Sequence, residues 1–154
     1  LITLSSSSTK NNTINISANL KIKPFLVPHR EDYSETVGFE IATSKKELIY
    51  IPDIDNWEKW DISITELIKN SDFALVDGTF FSEREIERDI SLIPHPLVKD
   101  SLKLFSNLKA KERNKIIFTH FNHTNPLIDE SSKEHEEVLS KGFRIAKEGD
   151  NFYL

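Results

Sequence analysis

A chain of 154 residues and 17.8 kDa, 38% hydrophobic and 29% charged, has the size and composition of one folded domain and not of a disordered segment. A formal charge of -5 and a pI near 5.6 give no basic footprint for nucleic acid or an anionic membrane. Cysteine is absent, so any metal must sit on His, Asp or Glu, and no apolar run approaches the ~20 residues that span a bilayer.

Residues 1–12 are rich in Ser and Asn and are expected to form a flexible lead-in, with the folded part over residues 13–154. Residues 13–17 alternate like a short strand. Residues 20–28 form a second, and Pro24 within it predicts an edge position or a bulge. Residues 37–43 and 47–51 predict an antiparallel hairpin turned by Ser44, Lys45 and Lys46. Ile64, Leu67 and Ile68 lie on one side of a short helix over residues 62–70, and residues 73–76 are a buried-type strand.

Ser82 is placed to cap a charged helix through about Asp89, with Glu85 at its third position. Residues 97–108 predict a helix with Leu97, Leu104, Phe105 and Leu108 on one face. A buried-type strand comes next at residues 115–119. Ser131 or Ser132 then caps a helix that stops at Gly142, and residues 143–147 and 151–154 predict a closing hairpin around Glu148, Gly149 and Asp150. Strands first and then alternating helices and strands make an α/β chain with mixed strand directions.

The polar residue after each apolar strand carries the chemistry. FLVP is followed by His29, LIYIP by Asp53, FALV by Asp77 and IIFT by His120. Hairpin reversals and helical crossovers make all four strands run the same way, so these residues should leave the sheet at one edge, where α/β folds build their sites. Two histidines and two carboxylates converging there are metal-site material. Each alone could simply start a turn. There is no G-x-S-x-G elbow, glycine-rich phosphate loop or H-E-x-x-H helix. Ser34 is a nearby hydroxyl with no mark of a nucleophile, and His123 is expected to hydrogen-bond within its loop. His135 lies in the charged run SSKEHEE and is expected on a solvated helix face. Trp57 and Trp60 are expected to anchor a loop over the core.

Taken together, HREDYSETVGF, LIYIPDID, FALVDGTFF and IIFTHFNHTNP resemble the metal-site segments of the metallo-β-lactamase fold, most closely the PQQ synthesis protein B group, and ribonuclease Z-like enzymes more distantly. The resemblance spans about residues 20–154. It implies the C-terminal half of an αββα sandwich, a mixed sheet with flanking helices, lacking the first half and its H-x-H-x-D-H motif. That the chain has no methionine and starts at Leu1 fits a piece of a longer, bacterial protein.

Carried over, the resemblance makes His29 and His120 metal ligands and Asp53 the bridging carboxylate, with Asp77 competing for that role and Asp55 a weaker competitor. His95, held extended between Pro94 and Pro96, would pair with Asp77 in proton transfer. The implied cofactor is zinc or another divalent metal, two ions in the complete protein. The implied activity is hydrolysis of an ester, phosphodiester or amide, with a non-hydrolytic accessory role in PQQ-type cofactor synthesis as the alternative. The implied partners are a small-molecule substrate and either the missing half or a second copy over the open sheet face. Cytoplasm and periplasm both remain open.

Overall fold

The computed structural model describes residues 13–30, 34–85 and 94–154. Seven strands form one sheet in sequence order: β1 (Ile14–Ser17), β2 (Leu20–Leu26), β3 (Val37–Ala42), β4 (Glu47–Ile51), β5 (Phe73–Asp77), β6 (Ile116–Thr119) and β7 (Arg144–Ile145). The first four pair antiparallel and the last four pair parallel. Helices α1 (Ile64–Asn70), α2 (Val98–Phe105), α3 (Ala110–Arg113) and α4 (Lys133–Ser140) lie in the connections. This is the mixed α/β sheet expected.

Most boundaries have a cause in local chemistry. Thr43 closes the β3–β4 turn by accepting the amides of Lys45 and Lys46 on its hydroxyl. Ser63 caps α1, Ser132 caps α4, and Gly142 ends the latter at φ 84°. Pro24 pairs with Phe39 inside β2, beyond the stretch that β1 reaches, so it lies on an open flank as its missing N–H requires.

One face of the sheet carries Ile49, Ile51, Ala74, Val76, Ile116, Phe118 and Ile145. These join the buried residues of the helices, including Ile64, Ile68, Val98, Leu102, Phe105 and Val138, in a single core. Trp57 seals one side, donating Nε1–H to the buried Ser101 hydroxyl at 2.9 Å. Trp60 stacks on Phe25 and donates to the Leu26 carbonyl, so both tryptophans anchor this loop as expected. The opposite face is also apolar. Phe39, Tyr50, Leu75 and Ile117 form one cross-strand row, and Ile22, Ile41, Leu48 and Phe73 another, and none belongs to that core.

Three expectations change, and a fourth lies largely outside the described residues. The buried face of α2 is Val98, Ser101, Leu102 and Phe105, at the i, i+3, i+4, i+7 spacing of one stripe, while Leu104 is exposed and Leu108 is buried beyond the end of the helix. There is no closing hairpin among the described residues. β7 pairs parallel to β6, and the chain then turns through Lys147–Asp150 as coil that lays Phe152 edge-on against Phe73. His135 is buried, its Nδ1 at 2.8 Å from the Leu127 carbonyl, because it shares the inner face of α4 with Val138. The Ser82 segment forms a 3-10 turn at Glu83–Glu85, and its expected continuation, like the 1–12 lead-in, lies outside the described residues.

Candidate metal centre

Parallel pairing of β4, β5 and β6 brings their C-terminal ends side by side, with Ile51 beside Val76 and Asp77 beside Thr119. The residues at the exits of these strands therefore share one edge with His29, which lies just past β2. Asp53 Oδ1 lies 3.0 Å from His29 Nε2 and 3.5 Å from His95 Nδ1. His95 Nδ1 lies 2.8 Å from Asp77 Oδ2, and its ring sits 6.0 Å from those of both His29 and His120. His29, Asp53 and His95 form one group able to hold a metal; Asp77, His95 and His120 form another. All five predicted site residues thus converge, with His95 shared between the groups. His120 does not fall in the same group as His29 and Asp53.

The two carboxylates differ in what they have left to offer. Asp77 is fully buried and both its oxygens are occupied. Oδ1 accepts from the Thr79 amide at 2.9 Å and the Thr79 hydroxyl at 2.7 Å, while Oδ2 accepts from the Ile54 amide at 3.1 Å and His95 at 2.8 Å. An ionised carboxylate has about four acceptor positions, so Asp77 is saturated. Asp53 Oδ1 is the reverse: buried, with no hydrogen-bond partner despite the imidazole nitrogen at 3.0 Å. A buried, unpaired carboxylate oxygen is costly, and it is relieved either by a proton on the His29 ring, which makes the 3.0 Å contact an ion pair, or by a cation shared between the two atoms. Two ligands each about 2.1 Å from one ion, at angles near 90–110°, stand roughly 3.0–3.4 Å apart. The 3.0 Å spacing of Asp53 Oδ1 and His29 Nε2 matches that of two ligands on one cation, so this pair fits a divalent metal.

Electrostatics mark His95. Burial opposes its protonation, but the hydrogen bond to Asp77 and the charges of Asp77, Asp53 and Asp55 outweigh burial and raise its pKa above the ordinary histidine value. Asp55 Oδ2 is paired with Lys59 Nζ at 2.6 Å, and Asp55 is in neither donor group. Ser34 and His123 are exposed, and neither is in a donor group.

Two residues not singled out from the sequence hold this edge together. Thr79, buried, contacts Asp77, His95 and His120 through one hydroxyl. Asn125, also buried, donates to the carbonyls of Gly78 and Thr79 and caps the next turn with its Oδ1. The available signal was Thr two residues after an aspartate at a glycine turn, the pattern of a side chain accepting the i+2 amide. Gly78 permits that turn: a Cβ there would lie 2.9 Å from the Thr119 carbonyl oxygen and 2.8 Å from the Phe121 ring.

Comparison with known proteins agrees with this architecture. The chain is 29% identical over 140 residues to coenzyme PQQ synthesis protein B of Nitrosococcus oceani, covering 82% of this chain and 43% of that protein. It is 27% identical over 159 residues to the protein of the same name from Pseudomonas putida, covering 92% and 52%. A crystal structure of zinc-bound PqqB from Methylobacterium extorquens superposes with a TM-score of 0.75 at 24% identity, covering 94% of this chain and 54% of that one, a likeness of fold. The chain spans about half the length of the curated relatives it matches. A family model described as a beta-lactamase superfamily domain matches residues 6–121, and with that match over most of its length the chain belongs to the beta-lactamase superfamily.

Proposed function

We propose that this chain supplies part of a divalent-metal site in a hydrolase-type protein of coenzyme PQQ synthesis, with His29 and Asp53 as ligands sharing one position, His120 as a ligand on the far side of His95, and Asp77–His95 as a proton-transfer pair. One observation carries the proposal: the buried Asp53 Oδ1 has no hydrogen bond and lies between two imidazole nitrogens. Saturation of Asp77 supports Asp53 over Asp77 as the metal carboxylate. The curated relatives' names supply the pathway, and the zinc of the Methylobacterium extorquens structure supplies the candidate metal.

A bound zinc or similar ion would lower the pKa of its water toward ~7 and furnish hydroxide near neutral pH. Asp53 contributes negative charge and a fixed oxygen to that site. Asp77 holds His95 by Nδ1, leaving Nε2 to carry a proton, and the raised basicity of His95 keeps that proton available near neutrality. Protonation of a leaving oxygen or nitrogen by His95 Nε2 suits an ester, a phosphodiester or an amide. A second ion would need donors besides these, because Asp77 has no lone pair to give.

Calorimetric titration with zinc tests the site. Wild type should bind weakly, having few donors; Asp53→Ala and His120→Ala should lose at least about tenfold in affinity, and His123→Ala should lose nothing. His135 is unsuitable as the control because it is buried. Equal binding by all four proteins would remove the assignment. The second reading is a non-hydrolytic metal-binding accessory protein, which the relatives' names, stating synthesis of coenzyme PQQ and no hydrolysis, also accommodate. Turnover of bis(p-nitrophenyl) phosphate or p-nitrophenyl acetate by the zinc-loaded, full-length protein distinguishes the two.

A further inference from the structure

Thr79 is one side chain at the meeting point of three site residues. Its hydroxyl oxygen lies 2.7 Å from Asp77 Oδ1, 2.9 Å from His120 Nδ1 and 3.2 Å from His95 Nδ1, and the residue is 7% exposed. A hydroxyl has one proton to donate and lone pairs with which to accept. We propose that Thr79 is a positioning residue that fixes the tautomer and direction of the His120 ring by relaying the charge of Asp77 to it.

The direction of each hydrogen bond is set by which atoms can donate. Asp77 is acceptor-only when ionised, so the 2.7 Å contact is satisfied only if Thr79 donates its proton there. The opposite orientation would set oxygen lone pairs against each other inside a buried pocket. With its proton spent on Asp77, Thr79 can only accept from His120. His120 Nδ1 must then carry the hydrogen, which leaves the Nε2 lone pair as its ligand atom. His95 also donates from Nδ1, directly to Asp77 Oδ2 at 2.8 Å. One buried carboxylate therefore orients two histidines, one by contact and one through a hydroxyl. A histidine whose far nitrogen donates to a carboxylate or its relay is the arrangement that holds imidazole ligands in place.

His120 has particular need of such a tether. It is exposed and sits at φ 63°, a left-handed backbone that costs a non-glycine residue free energy and turns the chain sharply after β6. Thr79 is fixed independently of His120, by its own amide on Asp77 and by Asn125 and Asn122 on its carbonyl. A fixed residue holds a strained one.

This inference rests on the metal-site reading only in treating His120 Nε2 as a ligand; the tautomer itself is a property of the metal-free protein. The test uses Thr79→Val, which keeps the shape and removes the hydroxyl, and Thr79→Ser, which restores it. Long-range nitrogen–proton NMR of metal-free protein should show His120 as the Nδ1–H tautomer in wild type and Thr79→Ser. That preference should disappear in Thr79→Val, with circular dichroism unchanged. Zinc affinity by calorimetry should fall about 10–100-fold in Thr79→Val and return to within a few-fold of wild type in Thr79→Ser. An Nε2–H tautomer in wild type overturns the proposal, and that measurement suffices even if Thr79→Val fails to fold. Unchanged tautomer and affinity in folded Thr79→Val overturn it too. If wild type binds no zinc while the tautomers behave as stated, the metal reading fails and the relay stands.

Discussion

His120 shows how much one residue's backbone can be asked to bear for the sake of its side chain. Its left-handed φ comes directly after the last residue of β6, so the ring turns back toward Thr79 instead of continuing with the strand. Glycine adopts that conformation without a Cβ penalty, whereas alanine does not. Replacing His120 with glycine and with alanine therefore separates backbone from side chain. Both should lose zinc binding, but His120→Gly should be about 1 kcal/mol more stable than His120→Ala in urea unfolding. Equal stability would mean the left-handed turn carries no cost. Histidine is among the non-glycine residues that enter this region more readily, so the cost it bears is modest.

Strand ends are the most legible elements in the sequence because their signal is local and strong: an apolar run, then a polar residue with nowhere to go but the sheet edge. His29, Asp53, Asp77 and His120 carry that signal, and the fold brings them together. His95 stands out in the sequence only by its flanking prolines, and its place at the centre comes from tertiary packing. Helix faces are harder to read. Flanking glutamates disguise the burial of His135, and the α2 stripe runs through Ser101, which a search for apolar residues passes over. The closing hairpin fails because β7 finds a better partner in the buried β6 than in the coil after it. At the start of β4, Glu47 shows an element-level cost. Burial, then the charge of Glu40 and with Asp72 adding, raises its pKa against the opposing pull of Lys23. A carboxyl raised in the fold binds its proton more tightly there than in the unfolded chain. Its contribution to stability is therefore present below the unfolded pKa and lost as pH rises through the folded one. Glu47→Gln should raise the thermal midpoint slightly at pH 7, with the gain shrinking to nothing as pH falls below the carboxylate range. A lower midpoint at pH 7 would show that the Lys23 interaction dominates instead.

At the scale of the whole molecule, the sheet has one face packed under helices and one that is not in that core. The face outside that core presents Phe39, Tyr50 and Leu75 in one row and Ile22, Ile41 and Phe73 in the next, half-buried and uncharged, while Ile117 and Leu48 in the same rows are buried. Strands about 4.8 Å apart carrying two such rows expose an apolar area on the order of a few hundred Å², the size at which surface patches become sites of association. Phe152 covers one corner by packing on Phe73. No described helix is long or apolar enough to cross a membrane, and a second protein layer would be one cover for such a sheet face. The proposal that the chain is half of an αββα sandwich meets the same requirement, since the other half would supply that layer. The chain by itself should therefore enhance the fluorescence of a hydrophobic dye and self-associate as its concentration rises. Replacing Tyr50 and Leu75 with Lys should reduce both effects while leaving the far-UV circular dichroism unchanged, because neither residue belongs to the helix-covered core. A chain that sediments as a monomer at every concentration and binds no dye would show the open face to be satisfied by water, and the half-sandwich would have to be given up.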